Sequence, residues 1–219
     1  MGFGPMAGAA LLGLLLAHSA VAGTIEGTVS LSPDDLSFRG GAKANAYVGQ
    51  LGGSAVRSGS AAPSDTAYGV AYIAGDATGE VPPEAVLLDQ KGQKFLPRIL
   101  AVVVGQAVEF RNSDNVFHNV FSYSPPKRFD LGRYPRGKSK RLTFQKSGLV
   151  QVFCDIHSDM RSDIVVVPSR RYAYVDAAGR FRIGGVAPGK HTLALWLPRR
   201  GLETREVEVT ASGAVATFP

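Results

Sequence analysis

The chain has 219 residues, of which 45% are hydrophobic and 19% are charged, and its formal net charge is +6. This composition excludes a wholly disordered chain, because the apolar fraction is sufficient for the core of one medium domain or two small ones. Glycine and proline together make up about 18% of the residues, against roughly 12% in an average protein, and this excess favours a turn-rich β protein.

Residues 1–22 resemble a secretory signal peptide. They contain no Lys, Arg, Asp or Glu, and an apolar stretch over residues 7–17 leads to Ala20-Val21-Ala22, a small-x-small cleavage pattern. A membrane anchor is the alternative, but the stretch is shorter than the ~20 residues that span a bilayer. We therefore expect the chain to be exported, with its mature part starting at Gly23.

Short predicted strands recur along the rest of the chain, and no stretch has sustained helical periodicity. Residues 32–66 are predicted as long loops with at most one short strand, near residues 46–48. The strands before and after Gly105-Gln106 are predicted to form a hairpin. The predicted strands cover residues 24–31, 67–74, 98–104, 107–111, 116–122, 141–146, 149–154, 163–167, 172–176, 180–183, 191–197 and 206–210. This spacing favours an all-β protein built from β-sandwiches.

Cys154, His157 and Met160 form the motif C-x-x-H-x-x-M, and a further histidine, His118, lies upstream. Cys154 is the only cysteine of the chain, so a disulfide within the chain is excluded, and Met160 is the only methionine after residue 22. An exported lone thiol is open to oxidation, and a bound metal would protect it. One thiolate, two imidazoles and a thioether match the ligand set of mononuclear blue copper.

Three other interpretations fit this motif less well. A structural zinc site would use four Cys, His or carboxylate ligands, and a thioether is a poor ligand for zinc. A nucleophilic pair of Cys154 with a histidine would need an orienting Asn or Asp, and the motif indicates none. Ordinary core and loop roles for Cys154, His157 and Met160 would leave three potential ligands together by accident.

The segment His118-Asn119-Val120, followed by Phe153-Cys154-x-x-His157-x-x-Met160, resembles the cupredoxins, the type 1 blue-copper family. The spacing within the loop is most similar to that of amicyanin. The resemblance covers residues 84–168 and implies a cupredoxin Greek-key β-sandwich. Acidic and polar residues in the loop, including Asp155 and Asp159, replace the more apolar loop sequence of amicyanin.

The resemblance also implies the composition of the metal site. It implies one type 1 copper ion per chain, with His118, Cys154 and His157 as equatorial ligands and Met160 as the axial ligand. His157 would be the partly exposed ligand whose ring edge passes the electron. Asn119 would donate a backbone hydrogen bond to the Cys154 sulfur and so tune the site.

The C-terminal region resembles a second, smaller fold. Residues 179–193 are similar to the G-x-F-x-I…V-x-P-G-x-Y-x-L pattern of carboxypeptidase regulatory-like, transthyretin-like β-sandwiches. Such a domain normally begins with a strand like the one predicted at residues 24–31. We therefore predict that residues 23–83 and 169–219 form one small sandwich, with the copper domain, residues 84–168, inserted between them. His191 stands where the pattern usually has an aromatic residue, and we expect it to be structural.

A cluster of seven basic residues with one acidic residue, Asp130, lies between His118 and the C-x-x-H-x-x-M motif. The basic residues are Lys127, Arg128, Arg133, Arg136, Lys138, Lys140 and Arg141. A plain solvated face is one interpretation, and docking of an acidic redox partner or an anionic membrane surface is another, because such clusters raise association rates. Interleaved aromatics could suggest nucleic acid, but export and the lack of a nucleic-acid motif argue against that.

These observations predict a periplasmic electron carrier and not an enzyme, because no centre that would activate a substrate accompanies the predicted copper. A subunit of an oxidase or reductase is one alternative, but it would need several further histidines for a second copper site. Copper delivery or storage is another alternative, although such proteins usually have open ligand sets rich in Met or His. No transmembrane segment is predicted after the leader.

Overall fold

The computed structural model describes residues 1, 22–37, 67–77 and 80–219. Residues 2–21 of the predicted signal peptide and the possible strand near residues 46–48 lie outside the described residues. Within the described ranges the protein is all-β, as predicted, apart from one five-residue helix. None of the described residues belongs to a helix with the length and hydropathy that a membrane span requires.

The elements are numbered in chain order. The helix α1 is Pro33–Ser37, and the strands are β1 (Gly23–Val29), β2 (Gly69–Ile73), β3 (Val86–Gln90), β4 (Phe95–Leu96), β5 (Ile99–Val103), β6 (Ala107–Asn112), β7 (His118–Ser122), β8 (Phe129–Tyr134), β9 (Ser139–Thr143), β10 (Gly148–Phe153), β11 (Arg161–Val167), β12 (Tyr172–Val175), β13 (Arg180–Val186), β14 (Gly189–Leu197), β15 (Gly201–Val209) and β16 (Ala214–Phe218).

The first two strands and the last five form the terminal lobe. One of its sheets has the order β13-β1-β16 and the other the order β12-β2-β14-β15. The strand β1 is antiparallel to β13 and parallel to β16, and β2 lies between β12 and β14. Inward side chains such as Ile25, Phe181 and Leu195 are buried between the sheets. The N-terminal strands thus share both sheets with the C-terminal strands, while the domain boundaries at residues 84 and 168 stay predictions.

The strands β3 to β11 form the central lobe. A five-stranded sheet, β5-β11-β10-β7-β8, packs on a four-stranded sheet, β4-β3-β6-β9. Leu100, Phe110 and Val152 are among the fully buried side chains between them. The pairs β5–β11 and β3–β6 are parallel, and the other strand pairs of this lobe are antiparallel.

The predicted hairpin around Gly105-Gln106 is wrong. The strand β5 pairs with β11 in the five-stranded sheet, whereas β6 pairs with β3 and β9 in the opposite sheet. All five residues of β5 are buried, while β6 alternates between buried and more exposed residues. A strand that is buried on both faces is typical of parallel pairing inside a protein and not of a surface hairpin. The turn therefore carries the chain from one sheet to the other.

Other elements were not predicted from the sequence. The strands β3, β8 and β16 are absent from the prediction, and α1 lies in the region predicted as loop. The helix begins with a reciprocal cap, in which the Asp35 carboxylate accepts from the Ser32 amide and the Asp35 amide donates to the Ser32 hydroxyl. The strand β8 is hidden in the sequence because Gly132 and charged residues interrupt its apolar alternation.

A third apolar cluster joins the two lobes. The outward faces of β5 and β11 contribute Ile99 and Val165, and these pack with Val70 of β2 and Trp196 of β14. The four sheets therefore stack in four layers, with an apolar core between each neighbouring pair. Because the contact between the lobes is buried and apolar, the two lobes form one packed unit.

The terminal lobe also caps a strand edge of the central lobe. The strand β5 lies at the edge of its sheet, and its Ala101 amide donates a hydrogen bond to the Tyr174 hydroxyl over 2.9 Å. Two residues further on, the Val103 amide donates to the Gln106 side-chain oxygen over 3.2 Å. Side chains thus satisfy edge amides that would otherwise be buried without a partner.

Replacing Tyr174 by Phe removes the acceptor of the buried Ala101 amide. We expect this change to lower the free energy of unfolding by about 1–2 kcal/mol, because an unsatisfied buried donor is costly. Urea unfolding of the full chain measures the effect. Tyr123→Phe is the matched control, since Tyr123 is exposed and no hydrogen bond of its hydroxyl occurs among the described residues; equal losses in the two variants would contradict the assignment.

Candidate metal centre

The predicted ligands His118, Cys154 and His157 come from one end of the central lobe. His118 is the first residue of β7, and Cys154 directly follows β10. Residues alternate in direction along a strand, so Val150, Val152 and Cys154 all point into the core, as do His118 and Val120. The two strands meet at Phe153 and Phe121. Two side chains that are far apart in sequence thus face one point.

Three donor atoms form a compact triangle. The Nδ1 atoms of His118 and His157 lie 3.1 Å apart, and they lie 4.0 Å and 3.9 Å, respectively, from the Sγ atom of Cys154. The centre of a triangle with these sides is about 2.1 Å from each atom, which is within the range of metal–nitrogen and metal–sulfur bonds, about 2.0–2.3 Å. The three residues therefore fit a single metal ion that lies near their plane.

The loop between β10 and β11 closes by two backbone hydrogen bonds. The Met160 amide donates to the His157 carbonyl over 3.0 Å, and the Cys154 amide donates to the Met160 carbonyl over 3.3 Å. The Met160 side chain is buried in the same core cluster as Cys154. Its position in the core agrees with the loop geometry that the motif predicts, while ligation by its sulfur stays a prediction.

Asp114 holds the imidazole of His118, and the sequence analysis did not assign it a role. Its carboxylate lies 2.8 Å from Nε2 of His118. Because an ionised carboxylate can only accept, Nε2 carries the hydrogen, and in the neutral ring the lone pair is then on Nδ1, towards Cys154. The i, i+4 spacing before the first histidine is the only sequence signal that could have indicated this contact.

The Asp114 carboxylate is itself fixed by backbone amides. The Gly92 and Gln93 amides of the β3–β4 turn donate to its two oxygens over 2.6 Å and 2.8 Å. Burial raises the pKa of Asp114, but these amides and His118 outweigh that effect and hold the pKa below its usual value. The side chain of Asn112 accepts from the Asp114 amide and donates to the Val116 carbonyl, so the segment before β7 has a fixed shape.

The Cys154 sulfur accepts one backbone hydrogen bond. The Asn119 amide donates to it over 3.5 Å, which is the contact that the family resemblance implies. The side chain of Asn119 donates to the Asp130 carboxylate over 2.8 Å, and the Gly132 amide donates to the same oxygen. Asn119 is thus anchored to β8, and this anchor fixes the direction of its backbone amide.

Of the three predicted ligands, one reaches the surface of the protein. His118 and Cys154 are only 0% and 5% exposed, whereas His157 is half-buried. Phe117 and Ile156, which flank two of the predicted ligands in sequence, are exposed apolar residues. The shielding of Cys154 and the access through His157 agree with a site that keeps its donors away from water.

The seven predicted docking residues are spread over two strands and two loops. Lys127 and Arg128 lie in the β7–β8 loop, Arg133 on β8, Arg136 and Lys138 in the β8–β9 loop, and Lys140 and Arg141 on β9. Some of them have local partners. Arg133 pairs with Asp155 of the ligand loop over 2.9 Å, Arg141 pairs with Glu109 over 2.8 Å, and Lys140 donates to the Leu131 carbonyl. Arg136 also donates to the Asn115 side chain. Within the part of the chain that the structure describes, the side chains of Lys127, Arg128 and Lys138 have no such partner, so the cluster combines unpaired cations with cations that fix local structure.

Comparison with known proteins gives only structural likenesses. No protein-family model matches the chain, and no curated protein matches it. The copper-containing nitrite reductase from Thermus scotoductus is 27% identical, with 43% of this chain and 25% of that chain covered and a TM-score of 0.37. A reduced amicyanin variant is 25% identical, with 44% of this chain and 97% of that chain covered and a TM-score of 0.36.

A purple cupredoxin from Nitrosopumilus maritimus is 20% identical, with 37% of this chain and 98% of that chain covered and a TM-score of 0.34. These solved structures are cupredoxins or copper proteins, and the cupredoxins are also the family that the sequence motif resembles. The chain spans about a quarter of the length of the nitrite reductase.

Replacing Asp114 by Ala removes the hydrogen-bond acceptor of His118. We expect the affinity for Cu(II) to fall about 10- to 100-fold, because groups that orient a ligand imidazole typically contribute that much. Competition with a chelator of known affinity measures it. Asp159→Ala is the matched control, because it removes the same charge from the exposed part of the ligand loop. A similar loss in both variants would show that charge alone, and not orientation, is responsible.

Proposed function

We propose that this protein is a type 1 copper protein that carries single electrons between redox partners in the periplasm. The triangle of two imidazole nitrogens and one cysteine sulfur is the observation that carries the proposal. A bound copper ion would supply the one-electron change between Cu(II) and Cu(I). His118, Cys154 and His157 would hold it, with Met160 as the weak axial ligand.

The shape of the triangle favours copper over zinc. A tetrahedral zinc ion would place two nitrogen donors about 3.3–3.4 Å apart and a nitrogen and a sulfur donor about 3.5–3.6 Å apart. Here the two sulfur–nitrogen distances are 4.0 Å and 3.9 Å, and the nitrogen–nitrogen distance is 3.1 Å. Such a triangle is too wide around the sulfur for a tetrahedron, and it suits the trigonal His₂Cys arrangement of blue copper sites.

The surroundings of the donors support electron transfer. His118 is held by Asp114, and the Cys154 sulfur is held by the Asn119 amide, so neither donor has to move when the charge of the site changes. The buried core around them excludes water. His157, the half-buried donor, provides the contact through which a partner exchanges the electron.

Two alternatives are less consistent with this geometry. A nucleophilic triad is the first alternative, because Asp114 contacts His118 and His118 in turn lies next to Cys154. However, both Cys154 and His118 are buried, so a substrate has no access to the sulfur. Delivery of copper would require ligands that a recipient can reach. Only His157 of the three donors is within reach of a partner. We therefore propose a carrier and not an enzyme or a copper donor.

Export is part of the proposal. The predicted cleavage site after Ala22 directly precedes Gly23, the first residue of β1, so removal of residues 1–22 leaves every described strand complete. We expect N-terminal sequencing of the exported protein to start at Gly23. A retained leader in the periplasmic fraction would argue for an anchored form.

The copper-loaded protein should have an intense thiolate-to-copper absorption band at about 600 nm and a reversible one-electron couple. Cys154→Ser and His118→Ala should each abolish the band. His191→Ala is the matched control, because His191 lies in the terminal lobe and contacts the Ala187 carbonyl. A colourless copper complex of the unchanged protein would refute the type 1 assignment, and a blue Cys154→Ser protein would refute the ligand set.

We also propose that the basic cluster steers acidic redox partners. Reduction of the copper-loaded protein by the anion hexacyanoferrate(II), followed by stopped-flow absorbance, should slow as ionic strength rises, because salt screens attraction between opposite charges. Arg128→Ala with Lys138→Ala should flatten this dependence. Replacing Lys190 and Arg205 of the terminal lobe by Ala provides a control with the same loss of charge. A rate that is independent of ionic strength in the unchanged protein would contradict steering.

A further inference from the structure

The strand β8 carries a bulge where it pairs with β7. Asn119 lies opposite Arg133. The next partners are Phe121 and Asp130, so two steps along β7 correspond to three steps along β8. Gly132 takes up the extra residue with a φ of 64°, in the left-handed region that suits glycine. In this bulge the Asp130 carboxylate folds back along its own strand and accepts from the Gly132 amide over 2.7 Å.

The bulge holds the buried side chain of Asn119. The Asn119 Nδ2 atom donates over 2.8 Å to Oδ1 of Asp130, the same oxygen that accepts from Gly132. Asn119 is only 3% exposed, and in the described part of the chain its Oδ1 atom has no hydrogen-bond partner. Within the described residues, Asp130 is therefore the one hydrogen-bond partner of this side chain. The bulge is also held from β9, where the Lys140 side chain donates to the Leu131 carbonyl.

The position of Asn119 bears directly on the metal centre. Its backbone amide donates to the sulfur of the predicted ligand Cys154 over 3.5 Å, and both residues are buried. Hydrogen bonds weaken steeply as they depart from linearity, so a small rotation of the Asn119 backbone would weaken this contact. The hydrogen bond between Asn119 and Asp130 opposes such a rotation, because it ties the side chain of the same residue to β8.

We infer that Asp130 is a positioning residue for electron transfer: through Asn119 it holds a hydrogen bond on the Cys154 sulfur, and so it raises the reduction potential of the metal site. This inference rests on the proposed function and adds to it a residue that sets the potential. In the reduction the site gains one electron, its partner loses one, and no bond forms or breaks. A donor to the sulfur stabilises the reduced site more than the oxidised site, because the sulfur carries more negative charge once the electron has been gained.

The charge of Asp130 acts in the opposite direction, and two variants separate the two effects. A carboxylate near the site disfavours the gain of an electron, so removal of its charge alone would raise the potential. Because Asp130 is exposed, water and salt screen this effect. Asp130→Asn removes the charge but keeps a side-chain oxygen that can accept from Asn119 and Gly132. Asp130→Ala removes both the charge and the acceptor.

The reduction potential and the visible spectrum of the copper-loaded protein test the inference. We expect Asp130→Ala to shift the equilibrium with the hexacyanoferrate(II/III) couple about tenfold towards the oxidised site, which corresponds to a potential about 59 mV lower. The thiolate-to-copper band should move to longer wavelength, because a sulfur without its hydrogen bond gives up charge to the metal more readily. Asp130→Asn should keep the equilibrium constant within about twofold of that of the unchanged protein, since it keeps the acceptor.

Asp176→Ala is the matched control, because it removes the same charge and a similar carboxylate contact with backbone amides, those of Ala178 and Arg180, from a turn of the terminal lobe. It should move neither the potential nor the band. Equal shifts in Asp130→Ala and Asp130→Asn, a higher potential in Asp130→Ala, or no shift in either variant would overturn the inference and leave the electron-carrier function intact. An unchanged protein without a blue band and a reversible copper couple would overturn both.

Discussion

The contact between β7 and β10 is the constraint on which the metal centre depends. These strands meet at Phe121 and Phe153, and their side chains alternate between the core and the outer face. His118 and Cys154, which are separated by 36 positions, consequently point into the same end of the core. A shift of one residue in either strand would turn one donor outward and place an apolar side chain beside the other. The register of two strands thus decides whether the site exists.

Buried polar contacts give the site its rigidity. Asp114 links the His118 imidazole to two amides of the β3–β4 turn, and so connects the predicted ligand to the opposite sheet. Gln90 and Tyr134 are hydrogen-bonded to each other inside the same core, and the Tyr134 hydroxyl donates to the Phe110 carbonyl. Because a buried donor without a partner is costly, these contacts favour the one arrangement in which the Gln90 amide group and the Tyr134 hydroxyl both donate.

The terminal lobe has a structural role in the central lobe. It covers one half of the outward face of the five-stranded sheet and caps the edge of β5 through Tyr174. The central lobe leaves the terminal lobe after β2 and returns to it before β12, and these two strands are hydrogen-bonded neighbours. Because both connections lie side by side, the insertion of the central lobe leaves the sheets of the terminal lobe intact.

The sequence by itself determined the all-β class, most of the strands and the group of residues that forms the centre. Alternating apolar residues are a local signal, and the spacing C-x-x-H-x-x-M places three potential ligands within one short loop, so neither depends on long-range contacts. Tertiary structure decided the rest. It separated β5 from β6 into opposite sheets, brought Asp114 to His118, and paired Arg133 with Asp155. Each of these depends on which strands lie next to each other, and local residue patterns do not encode the identity of a distant neighbour.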